Sequence, residues 1–102
     1  MRKLSDLMGH ALEQREVLRT GRAQLALRGW DEILGQPLNL HAQPEKYDRG
    51  VLFVAATGSA WANEIRIRKE TLLARLNDRA NDARLFNDLR VSVKNFPAKS
   101  EE

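Results

Sequence analysis

Apolar and polar positions divide the chain into three helical stripes and three strand-like runs. Over residues 5–18, Leu4, Leu7, Met8, Ala11, Leu12 and Leu18 recur at the spacing of one helical face, with Ser5 placed to cap its start. Thr20-Gly21 interrupts the stripe and either breaks or bends the helix, because glycine is a poor helix-interior residue. A second stripe over residues 22–34 aligns Ala23, Ala26, Leu27, Trp30, Ile33 and Leu34. Gly35-Gln36-Pro37 ends it, since proline has no N–H to donate. Residues 40–47 read as a weak strand, with Pro44 favouring a sheet edge. Asp48-Arg49-Gly50 is a turn signal, and residues 51–57 form the strongest strand, so the pair predicts a hairpin.

Gly58-Ser59 then opens a third helix, expected over residues 60–78 with Ser59 as N-cap. Trp61, Ile65, Leu72 and Leu76 fall in one narrow arc that Ala62 and Leu73 widen. Residues 77–87 are polar and loop-like, with a short turn around Leu85-Phe86. Leu89, Val91 and Val93 alternate with Arg90, Ser92 and Lys94, which is strand periodicity. The order is helix, helix, strand, strand, helix, strand. Burying all the stripes together calls for an α+β fold in which a small three-stranded sheet packs against helices. The direction of the last strand is left open. One domain over residues 1–96, including the N-terminal helix, is followed by a polar tail, residues 97–102.

Composition narrows the function classes only slightly. The 102 residues suit a single core, and no run approaches the ~20 apolar residues of a membrane span. The chain has no cysteine, which excludes a disulfide framework and a thiolate metal site. No secretory signal is visible near the N-terminus, so a cytoplasmic location is the default expectation. Seventeen Lys and Arg against fourteen Asp and Glu give a net charge of +3. The surplus leans to the second half, where residues 58–96 carry eight basic against five acidic side chains. Most cations are arginine, the side chain suited to bidentate phosphate contacts.

No motif announces catalysis. His-Glu-x-x-His, Gly-x-x-x-x-Gly-Lys and Gly-x-Ser-x-Gly are all absent. His10 and His41 stand on different predicted elements without a neighbouring ligand, so neither metal nor cofactor is expected. Asp31-Glu32 and the Asp78/Asp82 pair are explained by solvated helix and loop surfaces. Gly58-Ser59 suits a strand end and helix cap better than a phosphate cradle. We expect no enzyme. Trp30 and Trp61 share stripes with aliphatic residues, which favours core anchors over base-stacking platforms.

The ordered series Trp30-Asp31-Glu32-Ile33-Leu34-Gly35, His41-Ala42-Gln43-Pro44, Gly50-Val51-Leu52-Phe53-Val54, Ser59-Ala60-Trp61-Ala62-Asn63-Glu64-Ile65 and Leu72-Leu73-Ala74-Arg75-Leu76-Asn77 resembles the DciA-like family. These are bacterial proteins that help place the replicative helicase on DNA. The resemblance implies a KH-like fold and a non-enzymatic replication factor. Its implied partners are the replicative DNA helicase and DNA, single-stranded first with double-stranded as the alternative, and no membrane. One departure bears on mechanism: KH domains grip single strands through Gly-x-x-Gly, and no two glycines here are three residues apart.

The candidate DNA-binding residues are therefore cations elsewhere. On a helical wheel Arg68 and Arg75 form a ridge with Glu64 and Thr71, with Arg79 at its edge. Lys69 falls inside the apolar arc and must snorkel or find a partner. Ile67 points away from the buried stripe. Arg90 and Lys94 extend the patch if the polar face of the last strand stays open. Arg19 and Arg22 flank Gly21 within a second group that includes Arg15 and Arg28. The rival readings are a protein-only helicase adaptor and a KH-like RNA-binding module. The sequence does not decide the oligomeric state.

Overall fold

The computed structural model describes residues 4–96, with side chains from residue 15 onward; the predicted tail, the Ser5 cap, His10 and the side chains of the first five stripe residues lie outside these, while the sixth, Leu18, is 67% exposed instead of lying on a buried stripe. The elements are α1 (Leu4–Leu27), α2 (Trp30–Leu34), a 3₁₀ turn (Leu38–Leu40), β1 (Ala42–Asp48), β2 (Val51–Ala56), α3 (Ser59–Ile67), α4 (Lys69–Ala80) and β3 (Asp88–Val93). The sheet has the order β1-β2-β3, antiparallel between β1 and β2 and parallel between β2 and β3. The architecture is α+β, a mixed three-stranded sheet against helices, in the expected order and compatible with a KH-like arrangement.

Boundaries differ from expectation in three places. Helix α1 runs straight through Thr20-Gly21, where nothing crowds the glycine and its cost is only about 1 kcal/mol. The break falls instead at Arg28-Gly29, whose N–H groups bond the carbonyls of Leu25 and Ala26 three residues back. Gly29 is buried, and a β-carbon there would collide with the Arg79 guanidinium. The third helix divides at Arg68 (φ −92°, ψ 8°) into α3 and α4, while the Arg68 N–H still donates to Glu64 O and Leu72 N–H to Arg68 O. The bend lays α3 along β2 and β3 and turns α4 toward α1 and α2. Finally, Gly58 rather than Ser59 precedes α3, and no side chain caps it.

The hairpin turn puts Arg49 and Gly50 at φ 49° and 89°, the two positive values of a tight two-residue turn. Its end also starts β3, because Asn87 and Asp88 N–H both donate to Gly50 O (2.7 and 3.2 Å). Ala42, Tyr47, Leu52, Val54, Ala56 and Leu89 form the sheet's contribution to the core. They meet Ala23, Ala26, Trp30, Ile33, Leu34, Ala62, Ile65, Leu72 and Leu76 from the four helices, with Leu85 and Phe86 from the loop. The Tyr47 hydroxyl donates to Leu85 O at 2.7 Å.

Asn77 ties that loop to α4. Its Nδ2 donates to the Ala83 and Phe86 carbonyls, and its Oδ1 accepts the Phe86 N–H at 2.7 Å. Asn77→Ala removes all three bonds and is expected to cost about 2–4 kcal/mol by urea denaturation. Ile67→Ala, at a position 71% exposed, should stay within about 0.5 kcal/mol. Equal midpoints for the two variants would show that Asn77 does not hold the loop.

Candidate nucleic-acid interface

Each of the eight candidate cations meets a protein partner. Arg68 Nε bonds Glu64 Oε1 at 2.6 Å, one helical turn back across the α3–α4 bend. Lys69, whose wheel position demanded a partner, pairs with Asp88 at the start of β3. Arg90 approaches the other oxygen of Asp88 at 3.6 Å, so one carboxylate serves a helix and a strand. Lys94 Nζ reaches Glu45 at 2.7 Å, from beyond β3 to β1.

The other four hold elements together. Arg75 donates to Ile33 O at 2.8 Å, satisfying a carbonyl near the end of α2. Arg79 packs over Gly29 and pairs with Glu32 at 3.3 Å, so two residues of the predicted ridge clasp α2 to α4. Arg22 pairs with Asp82 at 3.1 Å, while Arg19 pairs with Glu16 and donates to Arg84 O. The candidates thus form separate groups: the α2–α4 clasp, the α1–loop contacts, the bend, and the sheet around Asp88 and Glu45.

The tryptophans separate as well. Trp30 is buried, and its indole N–H donates to Ala42 O at 3.1 Å. Trp61 packs against the core but stays half-buried, stacked on His41 with centroids 4.2 Å apart and planes 6° from parallel. The His41 ring also shares a hydrogen bond with Thr57 (3.2 Å). Trp61, Ala60, Glu64, Arg68 and residues 36–38 line a groove of about 370 Å³. Among the described residues no three His, Cys, Asp or Glu side chains are grouped to hold a metal ion. No described helix is long and apolar enough to cross a membrane.

A family model described as "Dna[CI] antecedent, DciA" matches residues 3–91. The chain belongs to the DciA family. Among its relatives, a UPF0232 protein of Streptomyces coelicolor is 43% identical over 51 residues, 48% of this chain and 27% of that one. A UPF0232 protein of Mycobacterium tuberculosis is 36% identical over 70 residues, 69% of this chain and 35% of its own length. A third, from Rhodococcus jostii, is 28% identical over 69 residues, 68% of this chain and 36% of the relative. The chain thus spans about a third of the length of these relatives.

Lys46 and Phe53, whose ammonium and ring centroid lie 5.6 Å apart on β1 and β2, carry no mark in the apolar periodicity. Phe53 lies in the wholly apolar run Val51–Ala56, where no polar alternation marks the outward face.

Asp88 gives this region a pH signature. The Lys69 ammonium, then the Leu89 N–H and Arg90, hold its carboxyl below the ordinary value of 3.8. A depressed folded-state value means the contribution is complete above the unfolded value and is lost as pH falls through the folded one. Asp88→Asn should therefore flatten the stability profile below about pH 4, by under about 1 kcal/mol because the pairs are solvated. Parallel urea midpoints for the two proteins throughout that range would contradict the assignment.

Proposed function

We propose that this DciA-family chain is a non-enzymatic DNA-replication factor that binds the replicative helicase and DNA and helps place the helicase on single-stranded DNA. The observation that carries this reading is the family match over residues 3–91. Two features of the surface support it. Arg68, Lys69, Arg90 and Lys94 keep 41–68% of their side-chain surface in solvent, so phosphate can replace their carboxylate partners. Three large apolar side chains of α1, Val17, Leu18 and Leu25, are 57–71% exposed and give the helicase a helical face to dock against. Arg22 and Arg79 are exposed to a similar degree (49% and 42%), but they, with Arg19 and Arg75, would have to leave contacts that join α1 and α2 to the rest.

One observation favours a second reading, a protein-only adaptor: all eight cations already have protein partners. An RNA-binding KH-like module has less support, because Gly-x-x-Gly is absent.

The two are separated by titrating labelled oligo-dT with the protein at two salt concentrations, with and without the cognate helicase. Three to four phosphate contacts predict a log–log salt slope of about −2 to −3 on single strands, and tighter binding when helicase is present. Helicase binding without DNA binding selects the adaptor. Neither interaction overturns both readings.

A further inference from the structure

The sheet's outer face carries a feature that the helical surfaces lack. Strand register places Lys46, Phe53 and Arg90 in one row across β1, β2 and β3. On either side lie the rows Asp48–Val51–Asp88 and Gln43–Ala55–Ser92. Apart from Ala55, which is fully buried but outside the main cluster, none of these residues belongs to the core or packs against it, whereas the alternate rows supply Tyr47, Leu52, Val54, Ala56 and Leu89 to it. Phe53 is half-buried on the face away from the helices, and Lys46 Nζ stands 5.6 Å from its ring centroid. A bulge between Pro44 and Lys46 helps set this arrangement, because the extra residue re-aims the strand.

We propose that this face seats single-stranded DNA, with one base stacked on Phe53 and the flanking phosphates held by Lys46 and Arg90. The proposal rests on the reading that the chain binds DNA, and it names where. An aromatic ring on an open sheet offers a π-face to any unpaired base, and its stacking is tolerant of sequence. The Lys46 ammonium over the ring shows that a cation reaches that position, and its flexible stem can swing aside for a base while still meeting a phosphate. Arg90 stands two strands away, about 10 Å at the usual interstrand spacing, so the two cations straddle the ring. Arg90 is also the most open of the paired candidate cations, with 68% of its side chain exposed.

Charge selects this occupant over a second copy of the chain. The face holds Lys46, Arg90 and Lys94 beside Glu45, Asp48 and Asp88, with the half-buried Val51 and Phe53 and the buried Ala55 as its apolar side chains. That is too polar and too small an apolar area for a stable dimer core. Glu45 is engaged by Lys94, and Asp88 by Lys69 and Arg90, whereas Lys46 makes no ion pair among the described residues.

The test titrates labelled oligo-dT against the full chain, its Phe53→Leu variant, its Phe53→Tyr variant and the double variant Lys46→Gln/Arg90→Gln. Phe53→Leu is expected to weaken binding about tenfold with an unchanged salt slope, because stacking releases no counterions. Phe53→Tyr, which keeps the ring, should bind like the parent. The double variant should make the salt slope shallower by about 1.4, two phosphate contacts' worth. Photo-crosslinking with bromodeoxyuridine-substituted strands should map to the β2 peptide holding Phe53, a readout that survives if Phe53→Leu folds poorly. Parent binding with all variants unaffected and the crosslink on α3 or α4 overturns the sheet site and leaves DNA binding intact. Failure of the parent to bind at low salt overturns both. Tighter binding to RNA of the same length overturns DNA as the occupant.

Discussion

The parallel pairing of β3 with β2 is the constraint on which the rest depends. Two parallel neighbours cannot be joined by a tight turn, so the chain must cross a face of the sheet between them. Helices α3 and α4 make that crossing, and α1 and α2 join them in burying the same face. Leu52, Val54 and Ala56 of the central strand are consequently at most 1% exposed. The cost of concentrating every helix on one face is an opposite face left to the residues of the strands themselves. Both edges are blunted against further pairing. Trp30 bonds the outward carbonyl of Ala42, Pro44 lacks an N–H, and Arg66 reaches Val91 O at 3.4 Å on β3.

Arginine has two kinds of work in this small domain, and the distinction is energetic. A solvated ion pair is worth about 0–1 kcal/mol, so Arg68 or Arg90 loses little by exchanging a carboxylate for a phosphate. Arg75 is different. Its guanidinium satisfies a half-buried carbonyl near the end of a five-residue helix, and withdrawing it leaves that group without its bond. Arg79 likewise occupies the space over Gly29 where α1 gives way to α2. Structural duty and phosphate binding therefore compete in the α2–α4 clasp far more than around Asp88.

Much of this was legible in the sequence because apolar periodicity reports burial directly. In the arc Trp61, Ile65, Leu72 and Leu76, widened by Ala62 and Leu73, the aliphatic members Ile65, Leu72 and Leu76 and Ala62 are buried while Trp61 and Leu73 stay half-buried, and Asp48-Arg49-Gly50 turns the hairpin. Less legible were features that depend on distant partners. Gly21 looked like a break and Gly29 did not, yet of these two only Gly29 faces a side chain, from a residue fifty positions away. The bend at Arg68 leaves no mark on periodicity, since its helical hydrogen bonds persist on both sides. The ridge Arg68, Arg75 and Arg79 is contiguous on an ideal wheel, but its members turn to Glu64, Ile33 and Glu32. Wheels show which residues share a face, not what that face touches.

The same asymmetry argues where an unpaired strand of DNA can lie. On the helical side, aromatic rings are either sunk in the core, as Trp30 and Phe86 are, or already stacked, as Trp61 is on His41. A base arriving there must displace an existing packing contact. On the sheet side Phe53 carries one lysine ammonium over its ring, and the nearest cations are held by solvated carboxylates or by none. Stacking on Phe53 requires no rearrangement of the core, and the phosphates replace weak pairs with charge-assisted bonds. The Gly-x-x-Gly grip is missing from this chain, and the face opposite its helices supplies the ring and the charges that a single strand needs.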